Sequence, residues 1–258
     1  MLDEIVEKTK QRIEDEKEII SLDDLKNEVS LMEVNDEFPF KKALSGEEIS
    51  IIAEVKKASP SKGVIVEDFD YLAIAKDYEA AGASAISVLT EPYFFMGSDD
   101  YLKEIAQNVD IPVLRKDFVI DEYMIWQAKA LGASAVLLIV SILDIVQLKR
   151  YLDLAHELGL SAIVETHDGD EIMRALTVGA EIIGVNNRDL TDFTVDIENS
   201  ISLRRCVSGD VIFISESGIK TTEDVTRLKE NDVDAVLIGE TLMKSDDKKS
   251  MISELKNG

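Results

Sequence analysis

The chain alternates short apolar runs with longer amphipathic segments. Eight runs rich in Val and Ile recur at intervals of about 20 to 34 residues, and they begin at positions 51, 85, 112, 135, 162, 182, 211 and 235. Runs of this length and composition are typical of parallel strands that are buried on both faces. The pattern therefore predicts eight strands of one parallel sheet.

The segments between these runs carry apolar residues at helical spacing, as in DYLAIAKDYEAAGAS and DEYMIWQAKALGAS. Four of them end alike, with a glycine just before the next run: Gly82, Gly132, Gly159 and Gly179. Glycine commonly ends a helix because it adopts the left-handed backbone conformation without steric cost. Each segment is therefore predicted to be a helix that leads directly into the following strand.

Eight strand–helix units in 258 residues predict an α/β protein with a (β/α)8 TIM barrel, a fold of typically about 250 residues. The alternative is a doubly wound open sheet, which normally has a glycine-rich dinucleotide-binding turn after its first strand. The GxGxxG pattern of that turn occurs nowhere in the chain. We therefore expect a single domain over 1–258, with the barrel over 49–258.

Residues 1–48 are predicted to form an N-terminal helical extension. One helical face carries Leu2, Ile5, Val6 and Ile13, and SLDDLKNEV begins a second helix with Ser21 as a candidate N-cap. This extension is expected to pack against the barrel. Two positions suit the pattern equally, across the bottom of the barrel or over its top.

The composition indicates a cytoplasmic protein without a membrane segment. The longest apolar run, AVLLIVSIL, is far shorter than a membrane span, and the charged N-terminus does not resemble a signal peptide. The single cysteine, Cys206, excludes an internal disulfide and suits a reducing compartment. One Cys and two His make a structural zinc site an unfavourable hypothesis.

The formal net charge of −24 restricts the partners. A strongly acidic surface repels nucleic acid and anionic lipid, so we expect neither as a ligand. An anionic metabolite would also be repelled unless basic groups were gathered in one place. Lysines and arginines at strand ends are therefore informative in this chain.

The predicted strands end in chemically active side chains, and in this fold the catalytic groups lie at the carboxyl ends of the strands. The ionisable, amide and aromatic residues at these ends are Glu54, Lys56, Lys57, Phe95, Arg115, Lys116, Asp117, Phe118, Glu165, Asn186, Arg188, Glu216 and Glu240. Carboxylates and lysines from several strands that converge on one volume predict an active site. His167, by contrast, is expected to be a surface residue of a loop.

A phosphate site is predicted in the loops after the seventh and eighth strands, which often bind phosphate through backbone N–H groups in such barrels. Gly218 and Gly239 in these loops permit close backbone approach, and Ser59 and Arg188 are suitable side-chain partners. An anionic substrate would explain the basic residues expected at this end, namely Lys56, Lys57, Lys62, Arg115, Lys116 and Arg188.

Six segments together resemble the successive motifs of the indole-3-glycerol phosphate synthase family: IIAEVKKASPSKG, VLRKDF, IVETHD, IGVNNRDL, ISESGI and LIGETLM. The resemblance implies the closure of carboxyphenylamino-deoxyribulose 5-phosphate to an indole, with loss of carbon dioxide and water, in tryptophan biosynthesis. It implies no metal and no cofactor, a small anionic substrate, and association with other enzymes of that pathway.

The resemblance also assigns residues to three groups. The catalytic positions are Glu54, Lys56, Lys116, Glu165, Asn186, Glu216 and Ser217. The positions near the anthranilate ring are Phe95, Phe118 and Leu137, and the phosphate-binding positions are Ser59, Arg188, Gly218, Gly239 and Glu240. Glu240 would offer phosphate only its backbone N–H.

The residues themselves suit this chemistry. Ring closure needs a general acid at the ketone, and a lysine ammonium tuned by neighbouring carboxylates can serve. Lys116 is the first candidate, and Lys56, beside Glu54 on the same strand face, is the second. Glu165 and Lys56 are the candidates for the base and the acid of the dehydration.

Two other functions compete with this hypothesis. Phosphoribosylanthranilate isomerase is a shorter barrel that begins almost directly with its first strand and has a Cys where this chain has Glu54. A non-catalytic barrel that binds a phosphorylated ligand is the second alternative, although such a binder would gain nothing from buried, mutually perturbing charges.

Overall fold

A computed structural model describes residues 1–189 and 194–256 and contains a closed barrel of eight parallel strands. The barrel strands are β1 Ser50–Val55, β2 Ala85–Leu89, β3 Val113–Lys116, β4 Ala135–Ile139, β5 Ser161–Thr166, β6 Ile182–Asn186, β7 Ile212–Glu216 and β8 Ala235–Ile238. Strand β1 closes the barrel by pairing with both β2 and β8. The predicted barrel is thus confirmed, and each of the eight apolar runs is one of its strands.

Helices precede the barrel and connect its strands. They are α1 Leu2–Ile19, α2 Leu22–Val29, α3 Pro39–Leu44, α4 Tyr71–Ala80, α5 Asp99–Asn108, α6 Glu122–Ala130, α7 Ile145–Glu157, α8 Gly169–Thr177, α9 Glu198–Leu203, α10 Thr222–Lys229, α11 Glu240–Lys244 and α12 Lys248–Lys256. Short 3-10 turns span Val140–Ile142 and Arg204–Cys206, and a small hairpin after β1 pairs Ala58–Ser59 with Gly63–Val64.

The ends of these helices follow from local sequence. The four glycines that were predicted to end helices, Gly82, Gly132, Gly159 and Gly179, have positive φ angles of 84°, 88°, 71° and 86°. At the other end, side chains such as Asp144 and Thr221 accept hydrogen bonds from the first backbone N–H groups of α7 and α10. The chain therefore turns sharply out of each such helix and into the next strand.

Side chains on the barrel strands alternate between its interior and its helical layer. Ile52, Leu114, Ile163 and Ile214 belong to an apolar cluster inside the barrel, whereas Ala53, Val88 and Val164 pack under the helices. Because this alternation has a period of two, the interior positions beyond the apolar layer face the upper mouth of the barrel. This explains why the last inward residues of the strands converge there.

The N-terminal extension occupies both ends of the barrel. Phe40 and Leu44 of α3 are buried in the apolar cluster inside the barrel, and the Lys41 backbone N–H donates to the Ser161 hydroxyl at the start of β5 (3.3 Å). At the opposite end, Arg12 of α1 donates two hydrogen bonds of 3.0 Å to the buried carboxylate of Asp117, just after β3. Both positions that the sequence left open are therefore filled, by different helices.

Two further expectations have a structural counterpart. Ser21 caps α2 by accepting a hydrogen bond from the Asp24 backbone N–H, as predicted. Among the residues that the structure describes, no helix combines the length and apolar character needed to cross a bilayer.

Candidate active site

A cavity of about 640 Å³ opens at the carboxyl ends of the barrel strands. The structure brings to its wall all fifteen residues that the family resemblance assigned: Glu54, Lys56, Ser59, Phe95, Lys116, Phe118, Leu137, Glu165, Asn186, Arg188, Glu216, Ser217, Gly218, Gly239 and Glu240. Met1, Leu2 and Ile5 of the N-terminal segment also line this cavity. The sequence did not predict this contribution, because the helical spacing of apolar residues does not show which surface of the barrel the helix contacts.

Glu54 and Lys56 form an ion pair on the inner face of β1, in which the Lys56 ammonium donates to Glu54 Oε1. The pair fills the space beside Gly239, where a β-carbon would overlap Glu54 Oε1 and lie 2.9 Å from Lys56 Nζ. Gly239 therefore makes room for a charged pair from the neighbouring strand. This requirement is independent of any bond between its backbone and a phosphate.

Lys116 lies at the centre of the cavity between two carboxylates. Its Nζ is 3.0 Å from Glu165 Oε2 and 3.2 Å from Glu216 Oε2; both carboxylates are buried, and the Lys116 side chain is 14% exposed. Burial alone would lower the pKa of Lys116, but the surrounding carboxylates Glu165, Glu216 and Glu54 outweigh it and raise the pKa. Lys116 is therefore a cation in the unliganded site.

The two carboxylates beside Lys116 have different surroundings. Burial opposes the charge of Glu165, but Lys116, His167 and a hydrogen bond from Asn186 Nδ2 (3.3 Å) outweigh it and lower its pKa. Glu216 Oε1 is buried without a hydrogen-bond partner, and burial, with the nearby charge of Glu165, raises the pKa of Glu216 to about 7. Glu165 is therefore the anion of the pair, and Glu216 changes protonation near neutral pH.

Gly184 on β6, which was not among the predicted site residues, provides the space that Glu216 occupies. A β-carbon at Gly184 would overlap Glu216 Oε1 and lie 3.0 Å from the Ile163 Cγ2 atom. Its neighbour in register on β5 is Glu165. A glycine inside a strand often marks such a close approach, and this signal in IIGVNN was available.

Replacing Gly184 by Ala is expected to lower kcat by about tenfold to a hundredfold, because a small displacement of a catalytic group has an effect of this size. The added methyl group must push the Glu216 carboxylate away from Lys116. Steady-state kinetics would measure the loss. In a Glu216→Ala background the same change should have little further effect, and equal effects in both backgrounds would contradict this explanation.

Gly169→Ala is a matched control, since a β-carbon at Gly169 would meet no atom within 4 Å. It adds the same methyl group at the start of α8, outside the cavity. We expect its kcat to equal that of the unmodified protein.

One side of the cavity is an aromatic slot. The rings of Phe95 and Phe118 lie 6.0 Å apart between centroids at an interplanar angle of 38°, and Leu137 on β4 also lines the wall. Flat apolar surfaces of this kind suit a planar aromatic ring. The slot lies in the same cavity as the lysines.

The loops after β7 and β8 form another part of the wall. Ser217 and Gly218 both have left-handed backbone conformations, with φ angles of 69° and 89°, so the chain turns tightly there. The Glu240 carboxylate accepts a hydrogen bond from Lys244 Nζ at 2.6 Å and lies 3.9 Å from Lys62 Nζ. The side chain of Glu240 thus interacts with lysines, and Glu240 is the first residue of α11.

Three sequence expectations need correction. Arg115 does not face the cavity: it is buried behind the wall, where it donates to Asp99 Oδ1 and to the Met124 carbonyl, both at 2.9 Å. Because Lys116 points inward, strand alternation forces Arg115 outward. Lys57 also does not line the cavity.

His167 is the third correction, since it is not a surface residue. Its side chain is 19% exposed and lies against Glu165 and Glu171, which raise its pKa against the opposing effect of burial. A position two residues beyond Glu165 put it on the same strand face, and this was the available signal. His167 therefore supports the charge of Glu165 from outside the cavity.

The side chains that the structure describes do not form a candidate metal site. Within residues 1–189 and 194–256, no three His, Cys, Asp or Glu residues are grouped so that they could hold a metal ion. The chemistry that this site can perform with its own residues is acid–base catalysis by two lysines and three carboxylates.

Comparisons with known proteins agree with the geometry. A model of the family "Indole-3-glycerol phosphate synthase" matches residues 2–255. A protein of that name from Lachnoclostridium phytofermentans is 53% identical over 100% of this chain and 99% of its own length. Another from Endomicrobium trichonymphae is 54% identical over the full length of both chains.

Solved structures at low identity show the same fold. A 3-hexulose-6-phosphate synthase superposes with a TM-score of 0.66 at 13% identity, covering 81% of this chain and 99% of its own. Thiamine phosphate pyrophosphorylase from Pyrococcus furiosus gives 0.60 at 16% identity, covering 82% and 95%. The barrel with its lysines and carboxylates, the family match and the relatives all lead to one conclusion: this chain belongs to the indole-3-glycerol phosphate synthase family.

Proposed function

We propose that this cavity closes carboxyphenylamino-deoxyribulose 5-phosphate to indole-3-glycerol phosphate, with release of carbon dioxide and water. The observation that carries the proposal is Lys116, held between Glu165 and Glu216 in a cavity that also contains an aromatic slot. One wall suits the anthranilate ring, and the loops after β7 and β8 suit the phosphate. The reacting ketone would then lie near the lysines.

Lys116 acts as the general acid of ring closure. When the aromatic carbon attacks the ketone, negative charge develops on its oxygen, and the Lys116 ammonium transfers a proton to it. An alkoxide is basic enough to accept this proton even though the pKa of Lys116 is raised. Glu216, with a pKa of about 7, can then return a proton to Lys116 across 3.2 Å.

Lys56 and Glu165 act in the later steps. Lys56, paired with Glu54, orients the substrate carboxylate before carbon dioxide leaves, and afterwards protonates the departing hydroxyl. Glu165 takes the proton that leaves the ring carbon next to the nitrogen during dehydration, so that the nitrogen keeps its hydrogen in the indole, while the Asn186 amide holds the Glu165 carboxylate in place. No step in this sequence requires an external oxidant or reductant.

The phosphate is bound by the backbone N–H groups around Gly218, Gly239 and Glu240, with Ser59 and Arg188 as side-chain partners. Two further cations of the cavity wall, Lys220 and Lys244, add to the local positive charge. In a chain of net charge −24 these cations offset the repulsion of an anionic substrate. Ser217 lies at the same turn and faces the substrate from there.

The cellular setting is also part of the proposal. A cytoplasmic location suits the single exposed thiol of Cys206, which a reducing compartment keeps free. Association with other enzymes of tryptophan biosynthesis follows from the family resemblance, and co-purification with those enzymes would test it.

A fluorescence assay for indole formation tests the activity. The purified chain is incubated with carboxyphenylamino-deoxyribulose 5-phosphate, and we expect the emission of an indole to appear with turnover. An isomerase of phosphoribosylanthranilate or a non-catalytic binder would give no such signal, and either result would refute the proposal.

A further inference from the structure

The loop after β2 is organised around the side chain of Glu91, which is fully buried. Its carboxylate accepts three backbone hydrogen bonds, from Tyr93 N–H (3.0 Å), Phe94 N–H (2.7 Å) and Phe95 N–H (3.0 Å). Three successive amides thus point at one carboxylate. The loop folds around this side chain and not around an apolar core.

Glu91 balances its charge with amides alone among the residues that the structure describes. The ion pairs found there include other buried carboxylates such as Glu54 and Glu165, but not Glu91. Burying a carboxylate is costly unless hydrogen bonds compensate for the lost water. Bonds to an ionised acceptor are the stronger kind, so Glu91 holds residues 93–95 in one conformation.

The remainder of the loop fits this arrangement closely. The Gly97 N–H donates to the Glu91 carbonyl (2.8 Å), and a β-carbon at Gly97 would lie 2.7 Å from the Leu89 carbonyl carbon. The Phe95 carbonyl accepts a hydrogen bond from Ala58 N–H (3.3 Å) in the loop after β1. The backbone of Phe95 is therefore fixed from both sides.

The position of Phe95 determines the shape of the aromatic slot, since its ring packs against that of Phe118, with the centroids 6.0 Å apart. Glu91 itself does not line the cavity. We propose that Glu91 is a positioning residue that sets the recognition of the substrate's aromatic ring through Phe95. This inference rests on the proposed function, because it takes the slot to be the ring site.

Glu91→Gln tests the inference with a side chain of nearly the same shape. The new amide donates hydrogen bonds and so leaves one or more of the three backbone donors without a partner. We expect the affinity for indole-3-glycerol phosphate, measured by fluorescence titration, to fall by about tenfold, because Phe95 is no longer held in one position. The affinity for glycerol 3-phosphate, which has the phosphate but no ring, should change less than twofold.

Glu79→Gln is the matched control. Glu79 Oε1 also accepts two backbone hydrogen bonds, from Asp110 N–H (2.6 Å) and Ile111 N–H (3.2 Å), in the loop that enters β3. That loop lies at the opposite end of the barrel from the cavity. The same chemical change there should leave the affinity for both ligands unaltered.

A Phe95→Ala background separates positioning from a general loss of structure. If Glu91 acts through Phe95, the additional change Glu91→Gln should have little effect on ring binding in that background. Glu91→Asp, which keeps the charge but is too short to reach all three amides, provides a second variant should the Gln protein not fold. We expect it to weaken the ring-bearing ligand in the same selective way.

Equal weakening of both ligands, or additive effects of the Glu91 and Phe95 changes, would overturn the inference. Failure of the proposed function would look different. In that case the unmodified protein would form no indole and would not bind indole-3-glycerol phosphate at all. If the unmodified protein binds indole-3-glycerol phosphate and the Glu91→Gln variant binds it equally well, only the positioning role of Glu91 is overturned.

Discussion

Replacing Lys116 by Met is expected to slow ring closure by about a thousandfold, within the range that general acids contribute. The change removes the proton donor at the ketone, and it leaves Glu165 and Glu216 as two buried carboxylates without their shared cation. A single-turnover experiment, with rapid quenching and separation of the condensed intermediate from the indole product, would measure the step directly. The substrate should persist unreacted.

Lys56→Met should give the complementary result. Because Lys56 serves the dehydration in the proposed mechanism, condensation should proceed and a condensed intermediate should accumulate. Lys41→Met is a suitable control, since Lys41 also forms an ion pair, with Glu181 at 2.9 Å, but lies on α3 at the bottom of the barrel. Equal losses in both steps for the Lys116 and Lys56 variants would refute the division of labour.

Glu216→Gln is expected to lower kcat by about a hundredfold or more, the lower limit for general acid–base groups, while making the folded protein more stable above pH 7. The folded-state pKa of Glu216 is about 7, above its ordinary value of 4.5. Between pH 4.5 and about pH 7, Glu216 keeps its proton in the folded protein but has released it in the unfolded chain. The free energy of unfolding therefore falls as pH rises through this window, and the neutral amide avoids that loss.

Chemical denaturation at several pH values would test the sign of this effect. The stability gained by Glu216→Gln should be near zero at pH 4.5, grow as pH rises by at most about 1.4 kcal/mol per unit, and level off above pH 7. Glu165→Gln is a control with the opposite sign. The pKa of Glu165 is lowered, so its charge stabilises the fold above pH 4.5 and its removal should destabilise the protein at pH 8. A Glu216→Gln protein less stable than the unmodified one at pH 8 would contradict the assignment.

The strands and the end of the barrel that carries the chemistry were predictable from sequence, because both depend on local periodicity. The alternation in IIAEVKKASPSKG placed Glu54 and Lys56 on one face, and they form an ion pair. The same rule, applied to VLRKDF, would have assigned Lys116 to the cavity and Arg115 to the outer layer. Arg115 was expected at the cavity because of its charge, but the alternation of the strand places it in the outer layer.

Other features depend on contacts between distant residues, which no local pattern shows. The docking of Arg12 on Asp117 joins residues that are 105 positions apart. The space at Gly184 has meaning only because a carboxylate from β7 enters it. The difference between Glu165 and Glu216 arises from one amide and one histidine, and two glutamates at strand ends look alike in sequence.

The N-terminal extension has a consequence for the order in which the molecule assembles. Phe40 packs in a cluster whose members come from all eight strands, from Ile52 on β1 to Ala235 on β8. A ribosome delivers Phe40 and Leu44 early, yet the cluster in which they are buried is complete only once β8 has closed the ring. Contacts so distant in sequence slow folding, so we expect the docking of α3 to be a late event although α3 is synthesised early.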